Sequence, residues 1–153
     1  MNDEDKNIKA FLDMIAWSEG TTRTKGNENG YNVIVGGTLF SDYSDHPRKL
    51  ITIRPGLKST AAGRYQLLGR YFDHYKLLLG LEDFGHAAQD AIAIQQIREC
   101  KALDHVKAGR VRKAIQKTAR IWASFPGAGY GQHENRIEKL LEIYRTSGGK
   151  ETI

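Results

Sequence analysis

The chain has 153 residues, 40% of them hydrophobic and 27% charged, with 23 Lys and Arg against 18 Asp and Glu. That length fits one domain with room for a buried core, and the composition excludes a disordered, fibrous or membrane-spanning chain. The net charge of +5 suits an anionic partner (nucleic acid, a membrane surface or an acidic polymer such as a cell wall) as well as it suits plain solubility, and no basic run of five or more residues marks a nucleic-acid arm.

The first element predicted is a helix from about Asp5 to Glu19, with Asp3 or Asp5 as its cap. Ile8, Phe11, Leu12 and Ile15 recur at helical spacing, and Glu19 continues their face. Gly20 is a natural stop. A carboxyl group on an apolar face, at the negative end of a helix, is expected to have a raised pKa. An acid that keeps its proton near neutral pH is a general acid. The pattern alone equally describes a solvated Glu at a helix end.

Residues 20–30 are polar and rich in turn formers, so a loop is expected. Tyr31 to Val35, Thr38 to Phe40 and Leu50 to Ile53 are predicted as three short strands of a small sheet, with Gly36-Gly37 turning the first pair and Pro55-Gly56 stopping the third. Ser41 to Arg48 is a loop in which Asp42, Asp45 and His46 are read as solvated turn residues. From Ser59 or Thr60 the pattern predicts a long helix carrying Tyr65, Leu68, Phe72, Tyr75 and Leu79 to Gly80. Ala87 to Ile97 is predicted as a central helix, Lys101–Lys107 as a short one, and Val111, Ile115, Thr118 and Trp122 line the next. The stretch Phe125 to Gly131 breaks the periodicity. Ile137, Leu140, Leu141 and Tyr144 line the last helix, closed by Gly148-Gly149.

The lone Cys100 permits no internal disulfide and is expected to be buried. The acidic N-terminus is no signal peptide, and no stretch is long and apolar enough to cross a bilayer. The five His are scattered and no metal-binding, phosphate-loop or nucleophile-elbow motif occurs, so no cofactor and no metal is expected. Tyr31, Tyr43, Tyr65, Tyr71 and Tyr130, with Asn27, Asn29, Asn32, Gln66 and Gln132, offer ring faces and amides suited to a saccharide groove; Tyr65 and Tyr75 fit a core better.

These residues carry a resemblance. Trp17-Ser18-Glu19-Gly20, Val33-Ile34-Val35-Gly36-Gly37, Asp42-Tyr43-Ser44-Asp45-His46-Pro47-Arg48-Lys49-Leu50, Ala62-Gly63-Arg64-Tyr65-Gln66, Ile121-Trp122-Ala123-Ser124 and Pro126 through Gln132 resemble the phage lambda-type endolysin family of the lysozyme superfamily. The resemblance implies an α+β lysozyme-like fold: a mainly helical lobe and a small three-stranded antiparallel β lobe with a glycan groove between them, forming a single catalytic domain over residues 1–153. It implies a peptidoglycan lytic transglycosylase with Glu19 as the catalytic acid. A helix-borne Gly-x-x-Gln element maps to Gly63–Gln66 and a Gly-Tyr element to Gly129-Tyr130, making Gln66 and Tyr130 candidates to position the sugar's 6-hydroxyl beside the substrate-binding candidates Tyr31 and Tyr43. Flexible lips over the groove map to the loop around Ile51–Thr60 and the loop beginning near Gly127. The expected partner is the peptidoglycan glycan strand, with no nucleic acid and no stable membrane insertion. A monomer is expected, held in the host cytoplasm until another protein lets it reach the periplasm for lysis.

Hydrolytic glycosidases use two carboxylates. Where hydrolytic phage muramidases place an Asp in the loop after the acid, this chain has Asn27, and Asn32 is also uncharged. That favours a one-carboxylate reaction in which the 6-hydroxyl is the nucleophile. Two alternatives stand beside it. One is a hydrolytic muramidase pairing Glu19 with Glu28, Asp42 or Asp45. The other is a non-enzymatic basic module that binds glycan or nucleic acid.

Overall fold

In the computed structural model, which describes residues 1–131 and 133–152, the first helix, α1, spans Asp3–Ser18. Its cap is Asn2, whose side chain accepts from the Asp5 backbone N–H at 2.8 Å, rather than the Asp3 or Asp5 expected. Asp3, Glu4 and Asp5 instead fill the first turn, where the helix dipole favours negative charge. The other elements are a 3-10 turn at Thr21–Arg23, strands β1 (Ile51–Arg54) and β2 (Leu57–Ser59), and helices α2 (Gly69–Leu79), α3 (His86–Glu99), α4 (Leu103–Lys107), α5 (Val111–Thr118) and α6 (Ile137–Thr146). The chain divides into two compact units, Met1–Glu19 with Ala93–Ile153, and Gly20–Ile92, the division falling inside α3.

In the first unit α1 packs against α4 and α6, and α4 against α5. Phe11, Met14 and Ile15 of α1 are fully buried with Val106, Ala114, Trp122, Phe125 and Leu140. Each such large apolar side chain contributes about 1.5–3 kcal/mol relative to exposure. The Phe11 and Phe125 rings meet edge to face at 6.4 Å. Buried Asn7 ties three segments together: its amide donates to the Lys107 carbonyl at 3.0 Å and its Oδ1 accepts from the Lys150 N–H at 2.9 Å. Cys100 is buried, as expected.

The second unit is built around Ile34, Ala62, Leu67, Phe72, Tyr75, Phe84 and Ile92. Its sheet has two antiparallel strands, β1 and β2, rather than the three expected. Of the first expected pair only a single antiparallel bridge, Val33 to Leu39, forms. Gly36 and Gly37, at φ 90° and 99°, turn the chain so tightly that Ile34 accepts from Gly37, and little ladder is left to build. β2 ends at Ser59, one of the two residues expected to cap the next helix.

The helix expected from Ser59 starts ten residues later, at Gly69. Residues 60–68 form a turn in which Ala62 and Leu67 exchange both backbone hydrogen bonds. Two residues there are left-handed, Gly63 at φ 84° and Gln66 at φ 56°, which no helix accommodates. The Gly63–Gln66 element is therefore a turn and not helix-borne. Thr60 does act as a cap, but across the turn: its hydroxyl accepts from the Gly69 N–H at 3.0 Å. His46, expected in a solvated loop, is 2% exposed; its Nε2 donates to the Leu67 carbonyl and its Nδ1 accepts from the Arg48 N–H.

Candidate active site

Glu19 caps the C-terminal end of α1, its N–H still bonded to the Ile15 carbonyl at 2.8 Å, and Gly20 at φ 83° turns the chain away. The residue is thereby fixed, half-buried, at a helix end. Burial pushes its pKa up from 4.5 to about 7, against a smaller opposing pull from a Ser124 hydrogen bond. Of the two causes expected from sequence, desolvation carries the shift.

The hydrogen bonds around Glu19 form a directed chain. The Asn135 amide donates to the Ser18 hydroxyl at 3.0 Å and to the Ser18 carbonyl at 3.1 Å. Ser18 and Ser124 hydroxyls meet at 2.7 Å, and the Ser124 hydroxyl donates to Glu19 Oε2 in a short bond. Ser124 has one hydroxyl proton and gives it to Glu19, so at the contact between the serines Ser18 is the donor, while the Asn135 amide NH2 can only donate to Ser18. The Asn135 N–H also holds the Ser124 carbonyl at 2.7 Å, fixing the serine from both sides. Ser18 and Asn135 are buried, so these bonds satisfy groups that would otherwise cost stability. No local pattern in the sequence gives a role to Ser18, Ser124 or Asn135. The one available signal was Ser18 itself, a polar residue beside Glu19 on a helix that is mostly buried at that end.

The other candidate residues lie apart in function. Tyr130 is 55% exposed and donates its hydroxyl to the Arg120 carbonyl at 3.0 Å. Its loop is held by Glu134, whose carboxylate accepts from the Gly127 and Gly129 N–H groups at 3.0 Å each, a pairing that keeps this carboxyl below the usual range. Gln132 lies outside the described residues. Gln66 is half-buried and its amide nitrogen donates to Gly63 and Val33 carbonyls at 2.9 and 3.2 Å. That leaves its carbonyl oxygen as the end able to accept.

Tyr31 is 8% exposed, stacked on His86 at 3.9 Å, with its hydroxyl donating to Asp90 at 3.0 Å. Tyr65 donates to the same carboxylate at 2.6 Å and accepts from Arg64. Burial and Asp90 push the Tyr31 phenol to about 12. Tyr31 thus serves as an anchor more than as a sugar platform. Tyr65 and Tyr75 are core, as expected. Tyr43 is half-exposed, its ring edge-on to Phe40 and His86 and its hydroxyl donating to Glu28 at 3.1 Å.

Each sequence candidate for a second carboxylate has a local partner. Glu28 accepts from Tyr43; Asp42 accepts from the Ser44 N–H at 2.9 Å; Asp45 accepts twice from Arg48. Those bonds hold Asp42 and Asp45 below the ordinary carboxylate range. Asn27 and Asn32 staple the 20–32 loop: Asn27 bonds Thr22, Thr24 and Gly30, and Asn32 accepts from the Glu28 N–H at 2.7 Å. Among the described residues no group of three or more His, Cys, Asp or Glu is placed to hold a metal ion.

Comparison with known proteins gives a consistent family. Residues 9–151 match the model of the Endolysin family. The chain is 57% identical to the endolysin of Escherichia phage lambda over 143 residues, covering 92% of this chain and 90% of that protein. It is 50% identical to the endolysin of Escherichia phage P2 over 155 residues, covering 94% of each. Among solved structures it is similar to bacteriophage lambda lysozyme complexed with a chitohexasaccharide, with a TM-score of 0.94 at 54% identity over 99% of this chain and 98% of that one. A second structure of lysozyme from bacteriophage lambda gives 0.90 at 52% identity over the same shares. The fold is accordingly α+β and lysozyme-like.

Proposed function

The chain belongs to the endolysin family of peptidoglycan-degrading enzymes, and on that premise we propose that it cleaves the β-1,4 bond between N-acetylmuramic acid and N-acetylglucosamine as a lytic transglycosylase, for host cell lysis. The observation that carries the reading is the Glu19 carboxyl at a pKa of about 7. A group poised there is present in both forms at neutral pH, so one residue can serve as acid and then as base.

Because Oε2 accepts from Ser124, Oε1 is the oxygen left to carry the transferable proton. That proton passes to the glycosidic oxygen as the bond to the muramic acid C1 breaks, freeing the 4-hydroxyl of the glucosamine. The muramic acid 6-hydroxyl attacks C1. Ionised Glu19 takes the proton that this hydroxyl loses and is restored. The product ends in 1,6-anhydromuramic acid and no water is consumed. The substrate supplies its own nucleophile, so proximity replaces a second carboxylate. Gln66, through its carbonyl oxygen, and Tyr130 are the proposed groups that orient the 6-hydroxyl, with Tyr43 contacting the glycan and Tyr31 supporting it.

Hydrolysis is the second reading, and the names of the solved relatives, both called lysozyme, favour it. It needs Glu28, Asp42 or Asp45 as partner to Glu19. The local bonds that occupy those three support the one-carboxylate reading instead. Turnover of the single variants Glu19→Gln, Glu28→Gln, Asp42→Asn and Asp45→Asn on purified peptidoglycan separates the two. The transglycosylase loses activity only in Glu19→Gln, by a factor of about 10³ or more. A comparable loss in any of the other three would favour hydrolysis.

A further inference from the structure

The basic excess of this chain is concentrated. Between Asp104 and Glu134 it carries Lys107, Arg110, Arg112, Lys113, Lys117 and Arg120 and neither Asp nor Glu. Helix α5 lies at the centre of that stretch. Val111, Ala114, Ile115 and Thr118 are buried, while Arg112, Lys113 and Gln116 are exposed, with Arg110 and Arg120 exposed just beyond its ends. The arrangement opposes the helix's own electrostatics. Arg112 and Lys113 stand in its first turn, which holds no acidic residue, and Arg110 makes no capping bond. Cations at that end meet the positive pole of the dipole. The Arg112 bridge to Glu151 offsets part of that cost, but Lys113 makes no such pairing among the described residues, and conflicts of this kind gather at functional or strained sites. The local field is positive: His105 titrates below its usual value through desolvation and then through Arg110, Lys117 and Lys113. Arg112 is bridged to Glu151 at 3.2 Å, but Lys113 and Lys117 have no ion-pair partner among the described residues.

Beside this face lies an open groove of about 580 Å³. Arg112, Lys113 and Gln116 line it together with the apolar Ile115, Pro126 and Ile137. All belong to the same compact unit as Glu19. Pro126 follows Ser124, the residue bonded to Glu19, by two positions, a span of at most about 7 Å.

We propose that this groove is a subsite for the acidic peptide stem carried by muramic acid, with Arg112 and Lys113 pairing with stem carboxylates while Ile115, Pro126 and Ile137 cover its alanine methyl groups. The proposal rests on the peptidoglycan-cleavage reading above. A stem is short and carries both carboxylates and alanine methyl groups, which match a groove lined by cationic and apolar side chains. A flat anionic bilayer matches it less well, because the exposed face of α5 presents no large apolar side chain to insert.

The test compares two substrates: glycan strands bearing peptide stems, and the same strands after an amidase has removed the stems. For wild type, Lys113→Gln and Lys113→Glu, the ratio of kcat/KM on intact strands to that on stripped strands is measured. Glu at the third helical position is favoured by the dipole, so the reversal variant is expected to fold, which thermal unfolding checks. The ratio is expected to fall about 3-fold in Lys113→Gln and about 10-fold in Lys113→Glu, through KM. A ratio unchanged in both variants overturns the stem subsite. An unchanged ratio with lost binding to vesicles containing anionic lipid overturns it in favour of a membrane-facing role. Wild type cleaving neither substrate defeats the peptidoglycan reading itself, an outcome distinct from the other two.

Discussion

Glu19 is held at a helix end where ionising it is costly, and that cost has two measurable consequences. The folded protein keeps this proton up to about pH 7, whereas an ordinary glutamate releases it near 4.5. Between those values the folded state binds one proton more than the unfolded chain, so stability falls as pH rises through this window and levels off above it. The full effect is about 3 kcal/mol as an upper figure. Glu19→Gln is therefore expected to be inactive yet more stable than wild type at pH 8, with the two nearly equal at pH 4.5; urea unfolding at both pH values checks this. The second consequence is kinetic. If protonated Glu19 starts the reaction, kcat/KM falls as pH rises through about 7. Ser124 lowers that pKa by donating to the carboxylate, so Ser124→Ala should move the falling limb to higher pH. A limb that stays in place would show that Ser124 does not tune the acid.

Elements were legible where burial alone sets the period. α6 buries one stripe and α1 a wider face, and Phe11, Leu12, Ile15, Leu140, Leu141 and Tyr144 are buried where the spacing puts them. The same logic misled from Ser59 onward. Tyr65 and Phe72 recur at helical spacing because both are buried, but the chain between them turns. Gly63 decides this. A Cβ there would lie 2.5 Å from Gln89 Oε1 and 2.8 Å from Phe84 Cζ, at a φ of 84° that side chains resist. Gly63→Ala is expected to cost about 2–4 kcal/mol in denaturant unfolding, with loss of the Arg64 N–H bond to Gln89. A cost under about 0.5 kcal/mol, the scale of ordinary surface changes, would mean that the turn relaxes. The chain of Asn135, Ser18 and Ser124 was hidden for another reason. It joins residues 117 and 106 positions apart, and no local pattern encodes such a pairing.

At the scale of the whole molecule, charge and chemistry meet. Six of the 23 basic residues lie between Asp104 and Glu134 without an acid among them. Attraction to an acidic wall is screened by salt, with a Debye length of about 8 Å at physiological ionic strength. Lysis of whole cell walls should then slow as salt is raised, more steeply than cleavage of stem-free glycan; equal salt dependence on both substrates would remove the role given to charge. The central claim concerns the bond itself: one carboxylate, and no water in the product. Digesting peptidoglycan in ¹⁸O-labelled water and weighing the released muramic acid ends tests it most directly. Transglycosylation predicts anhydro ends, lighter than reducing ends by one water and free of label, and none from Glu19→Gln. Reducing ends that carry ¹⁸O would contradict it and establish hydrolysis, with Glu28, Asp42 or Asp45 as the second group.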